Sequence, residues 1–246
     1  MATLIKKDTK FRTPNSHSNL PQLIIALAML AGAVAAGVVG HLTGRPVLYA
    51  VTVGFVLMAI ILFVSLLSKA ATNANIKMAG KTGETVTGNL LAQLPESYTV
   101  IMNAVVTYKG EQSEIDNIIV GPTGVFVVET KNHNGTIYAD YGAHDWTQHK
   151  VGRGGTPYSK TFYSPVKQVG THVYRLAHFL RENRVRTHVS AAVYFSNPEA
   201  SVNVTGMPND IPIFTVATSQ ELFQYILSGN ANLSYQTVQH IVQLLS

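Results

Sequence analysis

The chain has 246 residues, no cysteine and a formal net charge of +5. The lack of cysteine excludes disulfide bonds and thiolate metal sites. The charge does not by itself indicate a nucleic-acid-binding surface, because residues 1–75 hold six basic and one acidic residue while residues 76–246 hold twelve of each.

Two uncharged apolar segments come first along the chain, Leu20–Leu42 and Pro46–Leu67. About 20 helical residues cross a hydrocarbon core of roughly 30 Å, so we interpret them as two transmembrane helices joined by a turn at Gly44. A cleavable signal peptide is a competing interpretation of the first segment. The segment is longer than a signal-peptide apolar region, and a second span follows at once. A buried hairpin of a soluble protein is disfavoured because neither segment has a polar stripe at helical spacing.

Basic residues flank this hairpin on its outer sides. Four precede the first segment, three follow the second, and only Arg45 lies in the turn. This distribution predicts that both ends face the cytoplasm. We therefore expect a multi-pass protein of the cell (inner) membrane with a basic cytoplasmic tail (1–19), a transmembrane hairpin (20–67), a linker (68–79) and a cytoplasmic domain (80–246).

Small residues recur every four positions in the first apolar segment, at Ala28, Gly32, Ala36 and Gly40. Small side chains let transmembrane helices approach closely. The stripe is explained either by packing against the second segment of the same chain or by a homodimer formed through the first helix.

The rest of the chain predicts an α/β layered domain, because strand-like alternation and helical periodicity follow one another along it. The predicted elements, in order, are a helix at 81–94, strands at 98–108, 114–121 and 125–131, a further strand at 136–141, a helix at 164–183, strands at 188–195 and 211–218, and helices at 220–227 and 235–245. A polar, glycine-rich stretch, 149–160, is predicted to be a mobile loop.

Two of these strands form a predicted hairpin around Pro122 and Thr123. If Val120 pairs with Val125, the same register places Asp116 opposite Glu129, with Cβ atoms about 4.5–5.5 Å apart. Carboxylates at that distance repel each other unless a cation lies between them, and a hard divalent cation is the type that carboxylate oxygens bind.

Lys131 follows Glu129 by two residues and so stands on the same face of the strand. A surface salt bridge is the ordinary explanation of such a pair, and the same register offers one between Glu114 and Lys131. An odd number of loop residues would place Asp116 and Glu129 on opposite faces and remove the metal site.

The motifs in this part of the chain resemble the NERD (nuclease-related) domain of the PD-(D/E)XK nuclease superfamily. The resemblance runs from about Gly80 to Phe195 and rests on GKTGETVTGNLLAQL, EIDNIIVGPTGVFVVETKNHNG, the single Trp146 and SPVKQ, in that order and spacing. It implies a restriction-endonuclease-like layered domain with a central mixed sheet. Ser164 departs from the pattern, since the family commonly has Asn before this proline.

Carried over position by position, the resemblance implies a catalytic set of Glu84, Asp116, Glu129, Lys131 and Gln168. The three acids would hold Mg²⁺ (or Mn²⁺), Lys131 would supply cationic charge, and Gln168 would position a water or a phosphate. Two of these residues also have ordinary explanations. Glu84 falls in a first helical turn, where a negative charge suits the helix dipole, and Gln168 by itself reads as a surface residue.

Charge is segregated along the predicted domain, with a net of −6 over residues 84–145 and +7 over residues 146–186. An acidic half that binds a cation beside a basic half that binds phosphates suits a metal-dependent nuclease. An ordinary solvated basic helix face is the alternative. The predicted contacts to nucleic acid are Lys150, Arg153, Lys160 and Lys167.

These patterns together predict a membrane-anchored, Mg²⁺-dependent nuclease-like domain that hydrolyses phosphodiester bonds of DNA. The alternative is a catalytically inactive, membrane-tethered module of the same fold that binds nucleic acid or protein. A structural protein with a salt bridge at a strand end is a third interpretation.

Overall fold

The computed structural model describes residues 1–7, 20–152, 154–206 and 211–246. Its chain divides into two compact units. The smaller unit consists of residues 12–78, and the larger unit combines residues 1–11 with residues 79–246.

The smaller unit is a helical hairpin of α1 (Leu20–Thr43) and the first part of α2 (Pro46–Leu91). Both helices are long and apolar enough to span a membrane, and their side chains are largely exposed. This finding agrees with the two predicted spans by length and composition.

Small residues of α1 form its contact with α2. A Cβ added at Gly40 would lie 3.1 Å from Leu48 Cβ, and one added at Gly37 would lie 3.6 Å from Thr52. Ala26, Ala33 and Gly40 are buried at a seven-residue spacing. The predicted four-residue stripe shares only its last member with this contact.

The remaining stripe positions are more open. Ala28 is exposed, and a Cβ added at Gly32 would meet no described atom within 4 Å. The buried face of α1 therefore follows the seven-residue spacing of Ala26, Ala33 and Gly40 and not the predicted four-residue stripe.

The larger unit is built on a six-stranded mixed sheet in the order β1-β2-β3-β4-β8-β10. Its strands are β1 (Thr3–Lys6), β2 (Thr99–Tyr108), β3 (Glu111–Gly121), β4 (Gly124–Lys131), β8 (Val189–Phe195) and β10 (Ile213–Thr215). The meander of β2, β3 and β4 is antiparallel, and the flanking pairs are parallel. This is the mixed α/β layered fold expected from the sequence.

A second sheet of four strands has the order β7-β6-β5-β9. Its strands are β5 (Gly135–Asp140), β6 (Asp145–Val151), β7 (Pro157–Tyr163) and β9 (Ala200–Thr205). Trp146 on β6 is fully buried and stacks on Phe195 of β8, with ring centroids 6.4 Å apart. This aromatic contact joins the core of the second sheet to the first.

Helices cover both faces of the six-stranded sheet. One face packs against α3 (Pro165–Glu182) and α5 (Tyr235–Leu245), and the other packs against the end of α2 and α4 (Ser219–Leu227). Ser164 is the N-cap of α3 and accepts a hydrogen bond from the Lys167 amide, with proline at the first helical position. Serine therefore serves as an adequate cap at the position where the family commonly has asparagine.

The strands at 98–108, 114–121 and 125–131 and the helices at 164–183 and 235–245 were predicted within a few residues. The predicted strand at 136–141 exists as β5 but belongs to the second sheet. The predicted strand at 211–218 is wrong beyond Thr215, where a 3₁₀ turn (Val216–Thr218) precedes α4.

The predicted tail 1–19 includes an edge strand, Thr3–Lys6, that is parallel to β2. Other expectations are wrong. Residues 68–79 are not a separate linker, and no new helix starts at residue 81, because α2 is continuous. The stretch 149–160 is mostly the hairpin of β6 and β7, in which Gln148 pairs with Lys160 and Lys150 with Tyr158.

Candidate active site

The end of β4 carries the Glu-x-Lys pair. Lys131 Nζ donates to Glu129 Oε1 at 2.7 Å, and the Glu129 side chain is only 1% exposed. The two side chains share a face of the strand, as period-two alternation predicts. Burial alone would raise the pKa of Glu129, but the charge of Lys131 and the nearby His172 hold that pKa below its usual value.

Helix α3 supplies two further side chains to this pair. Lys131 Nζ also donates to Gln168 Oε1 at 2.8 Å, so one ammonium joins β4 to α3. One helical turn on, His172 Nε2 lies 3.4 Å from Glu129 Oε2. Among the described residues neither of these two atoms has a hydrogen-bond partner of good geometry, so this is a close polar contact and not a hydrogen bond.

Asp116 reaches the same strand end through the backbone of β4. The predicted register is confirmed from Gly121–Gly124 to Asn117–Val128, and the ladder stops one pair short of Asp116 and Glu129. Instead, Asp116 Oδ2 accepts a hydrogen bond from the Thr130 amide at 2.8 Å. The predicted Glu114–Lys131 pairing also lies beyond the end of the ladder.

The alternation of side chains along β2 and β3 is irregular next to Asp116. Ile115 and Ile118 lie in one core cluster although they are three residues apart, and so do Ile101 and Ala104. Regular alternation would put such residues on opposite faces. Asn103, which would pair with Asp116, has a φ of 55° and leaves the ladder at that point.

Burial and the neighbouring charge of Glu129 raise the pKa of Asp116 well above its usual range. Lys131 and the Thr130 amide oppose this rise without cancelling it. The two carboxylates therefore form one electrostatically coupled acid pair, in which the negative charge on Asp116 is unfavourable without a further cation.

Glu84 lies on α2, whose last turns dock against the end of β4. A Cβ added at Gly83 would come within 2.6 Å of Asn132 Cβ and 2.8 Å of Ser196 Oγ, so the helix approaches as closely as glycine allows. The Asn132 side chain also donates to the Ala79 carbonyl at 2.7 Å. Burial and the charges of Glu114 and Glu129 raise the pKa of Glu84.

The three predicted acids nevertheless do not form a compact metal centre. Within the described ranges, no group of three or more His, Cys, Asp or Glu side chains is arranged to hold a metal ion. Asp116 and Glu129 are electrostatically coupled at the end of β4, and Glu84 is coupled to the charge of Glu129.

The carboxylate oxygens of Asp116 and Glu129 are suitable ligands for a hard cation. Glu129 Oε2 is buried without a hydrogen-bond partner in the described part of the chain, and the Asp116 charge is raised in energy by its neighbour. Carboxylate oxygens are the ligands that Mg²⁺ and Mn²⁺ prefer.

The predicted nucleic-acid contacts separate into three cases. Lys150 and Lys160 lie on one face of the β6–β7 hairpin, and together with Lys131 they help lower the pKa of His133 to about 4, after its burial. Lys167 is exposed in the first turn of α3, next to Gln168. Arg153 lies outside the described residues.

Two neighbours of the site were not predicted as functional. His172 is 7% exposed and takes an interior position on the apolar stripe of α3, where a polar residue is a sequence signal in itself. Lys6, at the end of β1, lowers the pKa of Glu84 against the acid neighbours. No local pattern indicated Lys6, because its position depends on a pairing of β1 with β2 across more than ninety intervening residues.

Comparison with known proteins relates this region to a described family. Residues 79–196 match the family described as the nuclease-related domain, NERD. An uncharacterized protein of Bacillus anthracis is 47% identical over 74 residues, which is 29% of this chain and 35% of that protein. The aligned part thus spans about a third of that relative. No solved structure matches the chain.

Proposed function

Because residues 79–196 carry a nuclease-related domain, we propose that the chain is a membrane-anchored, divalent-metal-dependent nuclease that hydrolyses phosphodiester bonds of DNA. The observation that carries the proposal is the buried acid pair of Asp116 and Glu129, with Lys131 bonded to both Glu129 and Gln168. All four residues lie within the segment that matches the family.

Asp116 and Glu129 would hold Mg²⁺ or Mn²⁺, with Glu84 adding negative charge nearby. When bound, such an ion lowers the pKa of a bound water and stabilises charge on a phosphate. Lys131 supplies a point charge for the phosphate. Gln168 accepts from Lys131 through Oε1, so its amide Nε2 is the donor that it offers to a substrate oxygen.

Substrate phosphates meet a basic border around this pair. The charges of Lys131, Lys150 and Lys160 all act on His133, so these three lysines lie near one another. Lys167 is exposed and adjacent to Gln168. Contacts of this type position a backbone and do not read its sequence.

The membrane anchor would be the hairpin of α1 and α2, with the N-terminus and the domain both cytoplasmic. Two features support this topology. Basic residues flank the hairpin, and β1 pairs with β2 in one sheet, so both ends of the hairpin lead to the same folded unit. Only an even number of spans permits this arrangement.

Cleavage of plasmid and branched DNA by the full chain in lipid nanodiscs, with Mg²⁺ or Mn²⁺, tests the proposal. Glu129→Ala and Lys131→Ala should each abolish cleavage, while Glu221→Ala, an exposed acid on α4, should leave it intact. Cleavage that survives either site substitution contradicts the assignment.

A binding module without turnover is the second candidate. It is favoured by the absence of a three-acid centre among the described residues. This alternative predicts binding of nucleic acid or protein that is indifferent to EDTA, together with no cleavage under any divalent ion.

A further inference from the structure

The outer face of α3 carries aromatic rings and an arginine that the proposed site does not use, and it begins at Lys167, which borders that site. The buried side chains of this helix face the sheet and include Val169, Leu176 and Leu180. The opposite stripe has a regular spacing of four and three residues. It consists of Lys167, Thr171, Tyr174, His178 and Arg181.

Three rings form a cluster midway along this stripe. His178 stacks on Tyr108 with centroids 4.5 Å apart and an interplanar angle of 17°, and Tyr174 lies 4.5 Å from His178. Tyr174 is nevertheless 54% exposed. A large ring that is both fixed by neighbours and open to solvent is suited to stack on a flat partner.

Arg175 fixes the strand side of this cluster. Its guanidinium donates to Ser113 Oγ at 2.6 Å and to the Gln112 carbonyl at 3.1 Å, and it pairs with Glu111 at 3.3 Å. The β2–β3 turn is thereby held against α3, and Tyr108 with it. The rings are therefore preorganised before any ligand arrives.

Cations stand at both ends of the stripe. Lys167 is exposed beside Gln168, which contacts Lys131. At the other end, Arg181 lines a cleft of about 550 Å³ together with Arg186 and His188. Lys167 and Arg181 are fourteen positions apart on the helix, which is a rise of about 21 Å, or roughly six stacked nucleotides at 3.4 Å each.

We propose that this outer face of α3 binds a single strand of nucleic acid, with its phosphates near Lys167, Arg181 and Arg186 and a base stacked on Tyr174. Positive charge along a path with an exposed ring is the combination that binds single strands without sequence preference. A duplex keeps its bases within its own stack, so it offers Tyr174 no free base face. If the proposed function holds, the bound strand runs from the acid pair of Asp116 and Glu129 along α3. The binding of a single strand to α3 does not depend on that function.

Fluorescence anisotropy tests the proposal with the full chain in nanodiscs, in EDTA so that no cleavage occurs. The probes are a labelled 12-nucleotide single strand and a duplex of the same sequence. Tyr174→Ala should weaken single-strand binding about 5- to 100-fold and leave duplex binding unchanged. Tyr174→Phe should retain binding, and Tyr235→Ala, which removes a 77% exposed ring on α5, should have no effect.

The charged ends are tested separately. The double variant Lys167→Ala/Arg181→Ala should weaken binding and flatten its salt dependence. No single-strand binding, or equal losses for both probes with Tyr174→Ala, would overturn the proposal. So would competition by a poly-glutamate peptide as effective as that by unlabelled single strand. Single-strand binding that responds to these variants as expected, without cleavage in Mg²⁺, would support binding to the outer face of α3. It would contradict only the nuclease assignment.

Discussion

Lys131 Nζ lies 2.7 Å from Glu129 Oε1, and these two residues are separated by one position on the same strand. The Glu129 side chain is 1% exposed and that of Lys131 is 18% exposed. The ammonium of Lys131 is thus the principal neutralising charge for a carboxylate that water does not reach. The pair is therefore expected to stabilise the fold as well as to serve the proposed chemistry.

Lys131→Met should destabilise the larger unit by about 3–5 kcal/mol, because it leaves a buried carboxylate without its cation. Glu129→Gln should cost less, because the ammonium that remains is closer to solvent. The double variant should be more stable than the sum of the single losses predicts. Urea unfolding followed through Trp146, the single tryptophan and a buried one, measures this. Wild-type stability in both single variants would show that the pair is not coupled.

Gly83→Ala should destabilise the larger unit by about 1–3 kcal/mol, because the new methyl group meets Asn132 and Ser196 where α2 docks. Gly80→Ala is the matched control on the same helix, with no described atom within 4 Å of the added Cβ. It should stabilise by up to about 1 kcal/mol through helix propensity alone. A lower thermal midpoint for Gly83→Ala and a higher one for Gly80→Ala would confirm the docking of α2. Higher midpoints for both variants would contradict it.

Asp116→Asn should raise the thermal midpoint of the metal-free protein at pH 7.5. Burial and Glu129 raise the pKa of Asp116, so its charged form is unfavourable in the fold, while asparagine still accepts from the Thr130 amide. A gain of about 1 kcal/mol corresponds to roughly 2–4 °C for a unit of this size.

The same variant should lose the rise in midpoint that Mg²⁺ or Mn²⁺ gives the wild type, because ligand binding to the folded state stabilises it. Asp145→Asn, which removes an exposed carboxylate, should keep that rise. A metal-induced shift of equal size in Asp116→Asn and wild type would exclude Asp116 as a ligand.

Acid should weaken the fold partly through His133, which packs on Phe162 with ring centroids 4.3 Å apart. Burial and then the charges of Lys131, Lys150 and Lys160 lower the pKa of this histidine to about 4, against 6.5 in the unfolded chain. As the pH falls, His133 is therefore protonated in the unfolded chain before it is protonated in the folded chain. Stability present above pH 6.5 is lost as the pH falls through 4.

His133→Asn should reduce that loss by about 1–2 kcal/mol between pH 7 and pH 4.5, after allowance for solvent screening. The measurement is the difference in urea midpoints of the two proteins across this pH range. Parallel acid dependence in the variant and the wild type would remove His133 as the cause.

Membrane sidedness is testable without background labelling because the chain has no cysteine. A membrane-impermeant maleimide should label Thr43→Cys, at the end of α1, in intact cells. Thr3→Cys and Lys109→Cys should react only after lysis, because β1 and the β2–β3 turn belong to one folded unit. Different sidedness of the last two positions would contradict the pairing of β1 with β2.

The sequence was sufficient to predict the β3–β4 hairpin, because two apolar runs flank a Pro-Thr-Gly turn, while its register depended on the number of loop residues. It was also sufficient for α3, whose apolar stripe is regular and whose start is marked by Ser164 and Pro165. The pair of Glu129 and Lys131 follows from the alternation of β4 alone. These features depend on residues that are close together along the chain.

Features that depend on distant residues were not predicted. The hydrogen bond from the Thr130 amide to Asp116 occurs beside a positive φ at Asn103 on the neighbouring strand. The β6–β7 hairpin was not predicted, because the stretch 149–160 is polar and rich in glycine and has no apolar alternation that indicates strands. Glu84 comes near the acid pair only because Gly83 permits the close docking of α2.

The placement of β1 also sets an order of events during synthesis. This strand ends at Lys6 and its partner begins at Thr99, so β1 stays unpaired while both apolar helices are made. At translation rates of ~5–20 residues/s that interval is on the order of 5–20 s. The edge of the sheet can therefore close only after both helices of the hairpin have been synthesised, so the six-stranded sheet is completed late.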